Sequence, residues 1–200
     1  ALLATGASDV EPALPHLAEA VREGALRYCP VCDGYEAIGR RVGVVADAAG
    51  DWHEAVYLRH FSDHVTLFPV SAEVRFSPEQ RRRLADAGVA LAAPAEALRR
   101  AAGGGVTVRA GGRDTHCDAL YCALGLKVHS QLALALGALH DDDGSIVVDA
   151  HHRTSVEGLW AAGDVAKGLN QIAVATGGAA IAASAMHLAL HRAEVAEAAS

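Results

Sequence analysis

The sequence predicts an α/β fold in two domains built around parallel sheets. Three observations carry this. Short apolar strands alternate with amphipathic helices between residues 41 and 110. Two apolar runs, Ala1-Leu2-Leu3-Ala4-Thr5-Gly6 and Leu120-Tyr121-Cys122-Ala123-Leu124-Gly125, each end in a small residue, one further residue and glycine. Both therefore read as strands that stop at a turn. The composition, 52% hydrophobic and 20% charged over 200 residues, suits chains with real hydrophobic cores.

Taken in order, residues 41–46 read as a strand. Residues 52–61 have helical spacing, with Ala55, Leu58 and Phe61 on one side. Residues 64–68 form the next strand. Ser77 is an N-cap, with Pro78 at the first helical position and Gln80 at the third, for a helix through Ala87. Residues 89–92 are a short strand. Gly103-Gly104-Gly105 turns the chain into a strand at 106–110, and Gly111-Gly112 is a hairpin-like turn after it. The pattern predicts a parallel, doubly wound domain. Beyond Gly125 it changes: an acidic turn at 141–144, a short strand at 146–148, a polar stretch at 151–155 and a buried strand at 159–162. A long helix then starts near Gln171 or Ile172. The division read from this is 13–122 as an inserted domain and 1–12 with 123–200 as a discontinuous one.

Net charge is −7 and no dense Lys/Arg run exists, so the electrostatics give no support to nucleic-acid binding. Arg81-Arg82-Arg83 falls on a helical pattern and reads as a solvated face. The chain opens without a basic n-region and without Met, as if cut from a longer protein. Residues 172–190 could mimic a membrane span, but their Ala and Gly content and His187 favour a tightly packed interior helix. Four cysteines without a secretory context point to a reducing, cytoplasmic setting.

Cys29-Pro30-Val31-Cys32-Asp33-Gly34 carries the most chemistry. Two thiols separated by two residues can close a small disulfide ring and open it again. Pro30 favours a helix start, and a helix N-terminus stabilises a thiolate. Asp33 can supply or hold a proton. The same spacing is half a zinc site. Cys117 and Cys122 could complete it, but they read as five apart on one strand and would face opposite sides. The redox reading is preferred. His151-His152 reads as a surface turn, His187 as a core or interface residue, and His53 has no assigned role.

Gly158-Leu159-Trp160-Ala161-Ala162-Gly163-Asp164 is the second signal. A buried strand ending in Gly-Asp puts a carboxylate at the edge where α/β folds hold nucleotides. A turn residue bonding its own backbone is the plain alternative. The following helix, from Asn170-Gln171-Ile172 through Gly177-Gly178, has small residues in its first turns. They admit a flat ring, or another backbone, to a helix end that favours negative charge.

Together these pieces resemble the low-molecular-weight thioredoxin reductase family of flavoprotein disulfide reductases. Ala4-Thr5-Gly6, 29–34, Ala123-Leu124-Gly125, Thr154-Ser155, 158–164 and Gln171 onward occur in the family's order and cover nearly all of the chain. The resemblance implies two Rossmann-like, FAD- and NAD(P)-binding domains, the FAD one incomplete, and a homodimer. It implies that Cys32 contacts the flavin, Cys29 attacks the partner disulfide and Asp33 is the acid–base residue. Asp164, with Gly163, would bind the FAD ribityl or pyrophosphate region. Gln171 and Ile172 would contact the isoalloxazine ring, and Ala4, Thr5 and Gly6 would sit at the crossing between domains. The implied partner is a thioredoxin-like protein or a small dithiol or disulfide, with no nucleic acid and no membrane.

Two departures matter. The family's N-terminal GxGxxG unit would have ended before residue 1, so the chain reads as a fragment. In the inserted domain the phosphate loop reads Ala46-Asp47-Ala48-Ala49-Gly50-Asp51, and the next strand ends Leu67-Phe68-Pro69 without an Arg pair. Alanines crowd a pyrophosphate and aspartates repel it, which makes NAD(P)H a doubtful donor. The function read from the sequence is an FAD-dependent thiol–disulfide oxidoreductase. The alternatives are a dithiol oxidase or reductase using another electron carrier, and a non-catalytic binding remnant.

Overall fold

A computed structural model describes residues 1–47 and 52–198. The chain divides into two compact units, Ala1–Ser8 with Leu126–Ser200, and Asp9–Gly125. In chain order the elements are β1 (Leu2–Leu3), β2 (Ala7–Asp9), α1 (Leu17–Arg22), β3 (Leu26–Arg27) and α2 (Pro30–Asp33), which runs into a 3₁₀ turn at Gly34–Ala37. Next come β4 (Arg41–Ala46), α3 (Trp52–Leu58), β5 (His64–Pro69), α4 (Pro78–Asp86), β6 (Ala90–Leu91) and β7 (Ala95–Arg100). β8 (Val106–Ala110), β9 (Arg113–Cys117), β10 (Ala119–Ala123) and β11 (Leu126–Val128) follow. The chain closes with α5 (Gln131–Ala135), β12 (Trp160–Ala161) and α6 (Ile172–Ala198).

In the unit Asp9–Gly125, a parallel sheet has the order β3-β10-β4-β5-β6. Its central strands read as apolar runs because both faces are covered. Alternate residues divide between two cores. Val42, Val44, Ala46 and Tyr121 meet Ala55 and Leu58 of α3 and Leu84 of α4. Val45, Phe68, Leu120 and Cys122 meet Leu98, Val106 and Val108. Those last three belong to an antiparallel sheet, β7-β8-β9. A doubly wound domain would put helices on both faces; here the second face is covered largely by this small sheet. Its β8–β9 turn is the predicted Gly111-Gly112 pair, with φ of +55° and +73°, the left-handed region that two-residue hairpin turns require. The predicted cap of α4 is also present: Gln80 N–H donates to Ser77 Oγ at 3.2 Å, and Ser77 N–H to Gln80 Oε1 at 2.7 Å.

Cys117 and Cys122 do not share a strand. Cys117 ends β9, and Cys122 lies in β10. Both are buried in the same core, because the chain bends between them at Asp118 and the parity of a continuous strand no longer applies. Asp118 accepts from the Arg41 N–H at 2.8 Å and pairs with the Arg41 guanidinium, Nη2 to Oδ1, at 2.8 Å. The hydrogen bond from the Arg41 side chain holds the Asp118 carboxyl well below the usual carboxylate range, with backbone donation and charge adding to it. A depressed folded value means that this stabilisation is complete above the unfolded pKa of about 4 and is lost as pH falls below it toward the folded value. Asp118→Asn is therefore expected to destabilise the protein at pH 7, by an amount that shrinks steadily as pH falls below about 4. Urea midpoints across pH 2–7 check this.

In the unit Ala1–Ser8 with Leu126–Ser200, β1 runs parallel to β12, Leu2 opposite Trp160 and Leu3 opposite Ala161. Leu3, Ile146, Leu159, Ala161 and Val165 pack beside them. The strand expected at 146–148 reduces to bridges made by Ile146. Ala182 and Ala185 of α6 pack against Trp160 and Ala162. The helix is not the interior helix expected from its small residues, since Ile181, Leu188 and Leu190 are exposed. Small side chains here let one face approach β12 closely without covering the remainder. By length and composition alone, Ile172–Arg192 is long and apolar enough to cross a membrane, and 17% of that window is buried.

Candidate functional site

Cys29 and Cys32 are joined by a disulfide. Cys29 is the N-cap of α2, and Pro30, buried, takes the first helical position. Proline suits that place because its missing N–H would have no helical partner. The Cys32 N–H donates to Cys29 Sγ at 3.1 Å and to the Cys29 carbonyl at 3.0 Å. Gly34 follows Asp33 for a packing reason: a Cβ there would meet the Phe61 ring at 2.7 Å. Val31 and Tyr35, 68% and 78% exposed, leave the motif open to a partner within its own unit.

Asp33 is held from two sides. Arg27 Nη1 pairs with Oδ2 at 3.1 Å, and the Tyr121 hydroxyl donates to Oδ1 at 2.8 Å. The Arg27 side chain is only 6% exposed and also donates to the Gly24 carbonyl and to Glu36 Oε2, at 2.9 and 2.7 Å. Burial, then the bond to Asp33, raises the Tyr121 phenol well above its ordinary range, so it stays a donor.

The remaining cysteines are of another kind. Cys117 and Cys122 are reduced and buried, and burial pushes each thiol up to about 12. Reactive thiolates need exposure and a low pKa. Labelling with iodoacetamide at pH 8 is therefore expected to show two additional fast-reacting thiols after mild reduction. Four fast thiols, or none, would contradict this assignment.

The second group of sequence-predicted residues lies in the other unit, at the carboxyl ends of paired β1 and β12. Ala4, Thr5 and Gly6 follow β1, and Gly163 and Asp164 lie just beyond β12. Thr5 Oγ1 donates to the His129 carbonyl at 2.5 Å. Gly6 and Gly163 have φ of +67° and +76°, which turns the chain sharply at each strand end. A Cβ at Gly163 would lie 3.8 Å from Ala175 Cβ, so α6 begins beside the same edge. Gln171 precedes α6, its carbonyl accepting from Ala175 N–H at 2.9 Å, and Ile172 is 85% exposed. The structure thus brings these seven residues to one strand edge and one helix start. His152 belongs to the predicted turn region: its Nδ1 lies 3.0 Å from the Ala161 carbonyl, and its ring lies against Gly178. His187 is exposed, not a core residue.

At the carboxyl end of β4, Asp47 is exposed; Ala48, Ala49, Gly50 and Asp51 lie outside the described residues. β5 ends at Pro69 and continues through Val70-Ser71-Ala72-Glu73. Among the described residues, no three His, Cys, Asp or Glu side chains gather as a metal site would require.

A nucleotide-binding type of α/β sheet with a disulfide between two cysteines of a CxxC motif defines a class, the flavoprotein disulfide reductases and their kin. The chain matches the pyridine nucleotide-disulphide oxidoreductase family over residues 1–179 and belongs to it. It is 32% identical over 198 residues to a thioredoxin reductase of Treponema pallidum (strain Nichols), covering 92% of this chain and 62% of that one. Among solved structures, HlmI superposes with a TM-score of 0.86 at 28% identity, over 99% of this chain and 62% of that one. The thioredoxin reductase of Streptococcus pyogenes MGAS5005 gives 0.80 at 26%, over 96% and 65%. The chain spans less than two thirds of the length of each of these relatives.

Arg27 and Tyr121 are site residues that the sequence pattern does not single out. Arg27 lies two residues before Cys29, where a cation near an acid is a usable signal. Tyr121 lies 88 residues from Asp33. Only the place of β10 in the sheet brings them together.

Proposed function

We propose that this chain is part of a flavin-linked thiol–disulfide oxidoreductase that passes electrons between FAD, the Cys29–Cys32 pair and a dithiol or disulfide partner. The observation that carries this reading is the Cys29–Cys32 disulfide, with Cys32 exposed and Cys29 half-buried, and the tethered Asp33 next to it in sequence. In the reduced pair, the Cys29 thiolate attacks one sulfur of the partner disulfide and the other sulfur leaves as a thiolate. Cys32 then loses its proton to Asp33, and its thiolate attacks Cys29 Sγ. The second partner thiolate leaves, the pair is oxidised and the partner is reduced by two electrons. The Cys32 N–H, which bonds Cys29 Sγ, favours negative charge on that sulfur.

The residues at the β1–β12 edge fit a flavin nucleotide. Gly6 and Gly163 allow close approach, Asp164 can accept from ribityl hydroxyls, and the first N–H groups of α6 have no helical carbonyl to bond. Gln171 and Ile172 would border the ring at that helix start. FAD, when bound, supplies a two-electron store that exchanges with the pair. A thioredoxin-like protein or a small dithiol is the proposed partner, with a cytoplasmic homodimer as the working form.

NADPH is the less favoured donor. Asp47 stands exposed at the end of β4, and no Arg pair stands at the end of β5. The full-length protein is expected to purify with, or take up, FAD, and Asp164→Ala to weaken that uptake. Stopped-flow reduction of the flavin by NADPH and NADH tests the donor. No flavin uptake would overturn the FAD reading, and fast reduction by micromolar NADPH would overturn the donor reading.

A further inference from the structure

We propose that Arg27 and Tyr121 are positioning residues that act on thiol–disulfide exchange through Asp33. The inference rests on the exchange chemistry proposed above, but not on FAD or any nicotinamide.

The motif is anchored on its inner side by Pro30 and Gly34 and open on its outer side. It is a single helical turn, and Val31 and Tyr35 on its outside are exposed. A carboxylate on such a turn would sample several rotamers, and a proton acceptor must hold one geometry. The structure gives each Asp33 oxygen its own donor. Oδ2 receives Arg27 Nη1 at 3.1 Å, and Oδ1 receives the Tyr121 hydroxyl at 2.8 Å. The two donors come from β3 and β10, neighbours in the parallel sheet, with Leu26 opposite Leu120 and Arg27 opposite Tyr121. Tyr121 is fully buried and cannot follow the motif if it moves. Arg27 is fixed by three further acceptors, the Gly24 carbonyl, the Asp33 carbonyl and Glu36 Oε2. The carboxylate is thus referenced to the sheet and not only to the turn that carries it. In the resolving step, the proton of Cys32 passes to an oxygen whose place is set in advance. The electron pair left on Cys32 Sγ then forms the new bond to Cys29.

A buried arginine needs a carboxylate partner for stability alone, so the test must separate the two roles. Tyr121→Phe removes a single hydroxyl and Arg27→Lys keeps the charge; each is made alone and in an Asp33→Asn background. The protein is reduced, desalted and mixed with 5,5′-dithiobis(2-nitrobenzoate). Release of the second thiolate reports ring closure, because Cys117 and Cys122 are buried. In the parent background, Tyr121→Phe and Arg27→Lys are each expected to slow closure by about 3- to 10-fold. In the Asp33→Asn background the same changes are expected to have no further effect. Equal slowing in both backgrounds, or no slowing in either, would overturn the inference. Cys29→Ser and Cys32→Ser serve as controls on the underlying reading. If they leave release of the second thiolate intact, the exchange chemistry itself is wrong. If they abolish it while the Tyr121 and Arg27 effects ignore Asp33, only the positioning role falls.

Discussion

Replacing Cys32 with serine is expected to lower turnover of a disulfide substrate by about a thousand-fold or more, with Cys29→Ser equally severe. A serine hydroxyl can neither form nor release the sulfur–sulfur bond that joins these residues. The two variants should nevertheless fail differently. With Cys32→Ser, the first step still occurs, since Cys29 remains with the Cys32-position N–H beside its sulfur. Nothing then resolves the mixed disulfide, so a partner stays covalently attached to Cys29. With Cys29→Ser, no adduct accumulates. Intact-mass measurement after exposure to an oxidised partner separates the two. An adduct on Cys32 in the Cys29→Ser protein, and none in the Cys32→Ser protein, would reverse the roles assigned to the pair.

Phe68→Ala is expected to cost about 3–5 kcal/mol of stability, the range for truncating a fully buried aromatic. Phe68 has no exposed surface and lies where the parallel sheet meets Leu98, Val106 and Val108 of the antiparallel one. Alanine would leave a cavity between two sheets that are each held by their own ladders, so the gap cannot close fully. Against a typical domain stability of about 5–15 kcal/mol, this is a large share. Val21→Ala, on the partly exposed face of α1, should change stability by no more than about 0.5 kcal/mol. Denaturant midpoints at pH 7 check both. A loss below about 1 kcal/mol for Phe68→Ala would mean that the second core does not pack as described.

Local chemistry makes much of this protein legible in its amino-acid order alone. The cap of α4 is readable because Ser77, Pro78 and Gln80 act within one turn. The β8–β9 hairpin is readable because adjacent glycines tolerate positive φ. The motif at 29–34 is readable because ring closure depends only on two residues of spacing. Where the pattern misleads, a long-range contact decides. Cys117 and Cys122 share a core because Asp118, bonded to Arg41 some 77 residues away, sets a bend that no strand parity anticipates. The antiparallel sheet on the second face of the parallel sheet is hard to read because half of β7 is polar and only Leu98 of it is buried, so its pattern is weak. Helix α6 reads as interior because small residues signal close packing, but only the Ala182 and Ala185 face meets β12.

Interactions within a few residues suffice to specify the α/β class, the two-thiol motif and the strand-end glycines, and all three can be read from the order of amino acids. What holds Asp33 is a property of the assembled sheet. Arg27 and Tyr121 reach it because β3 and β10 lie side by side, and the pairing of strands so distant along the chain is set by burial of whole faces, not by local pattern.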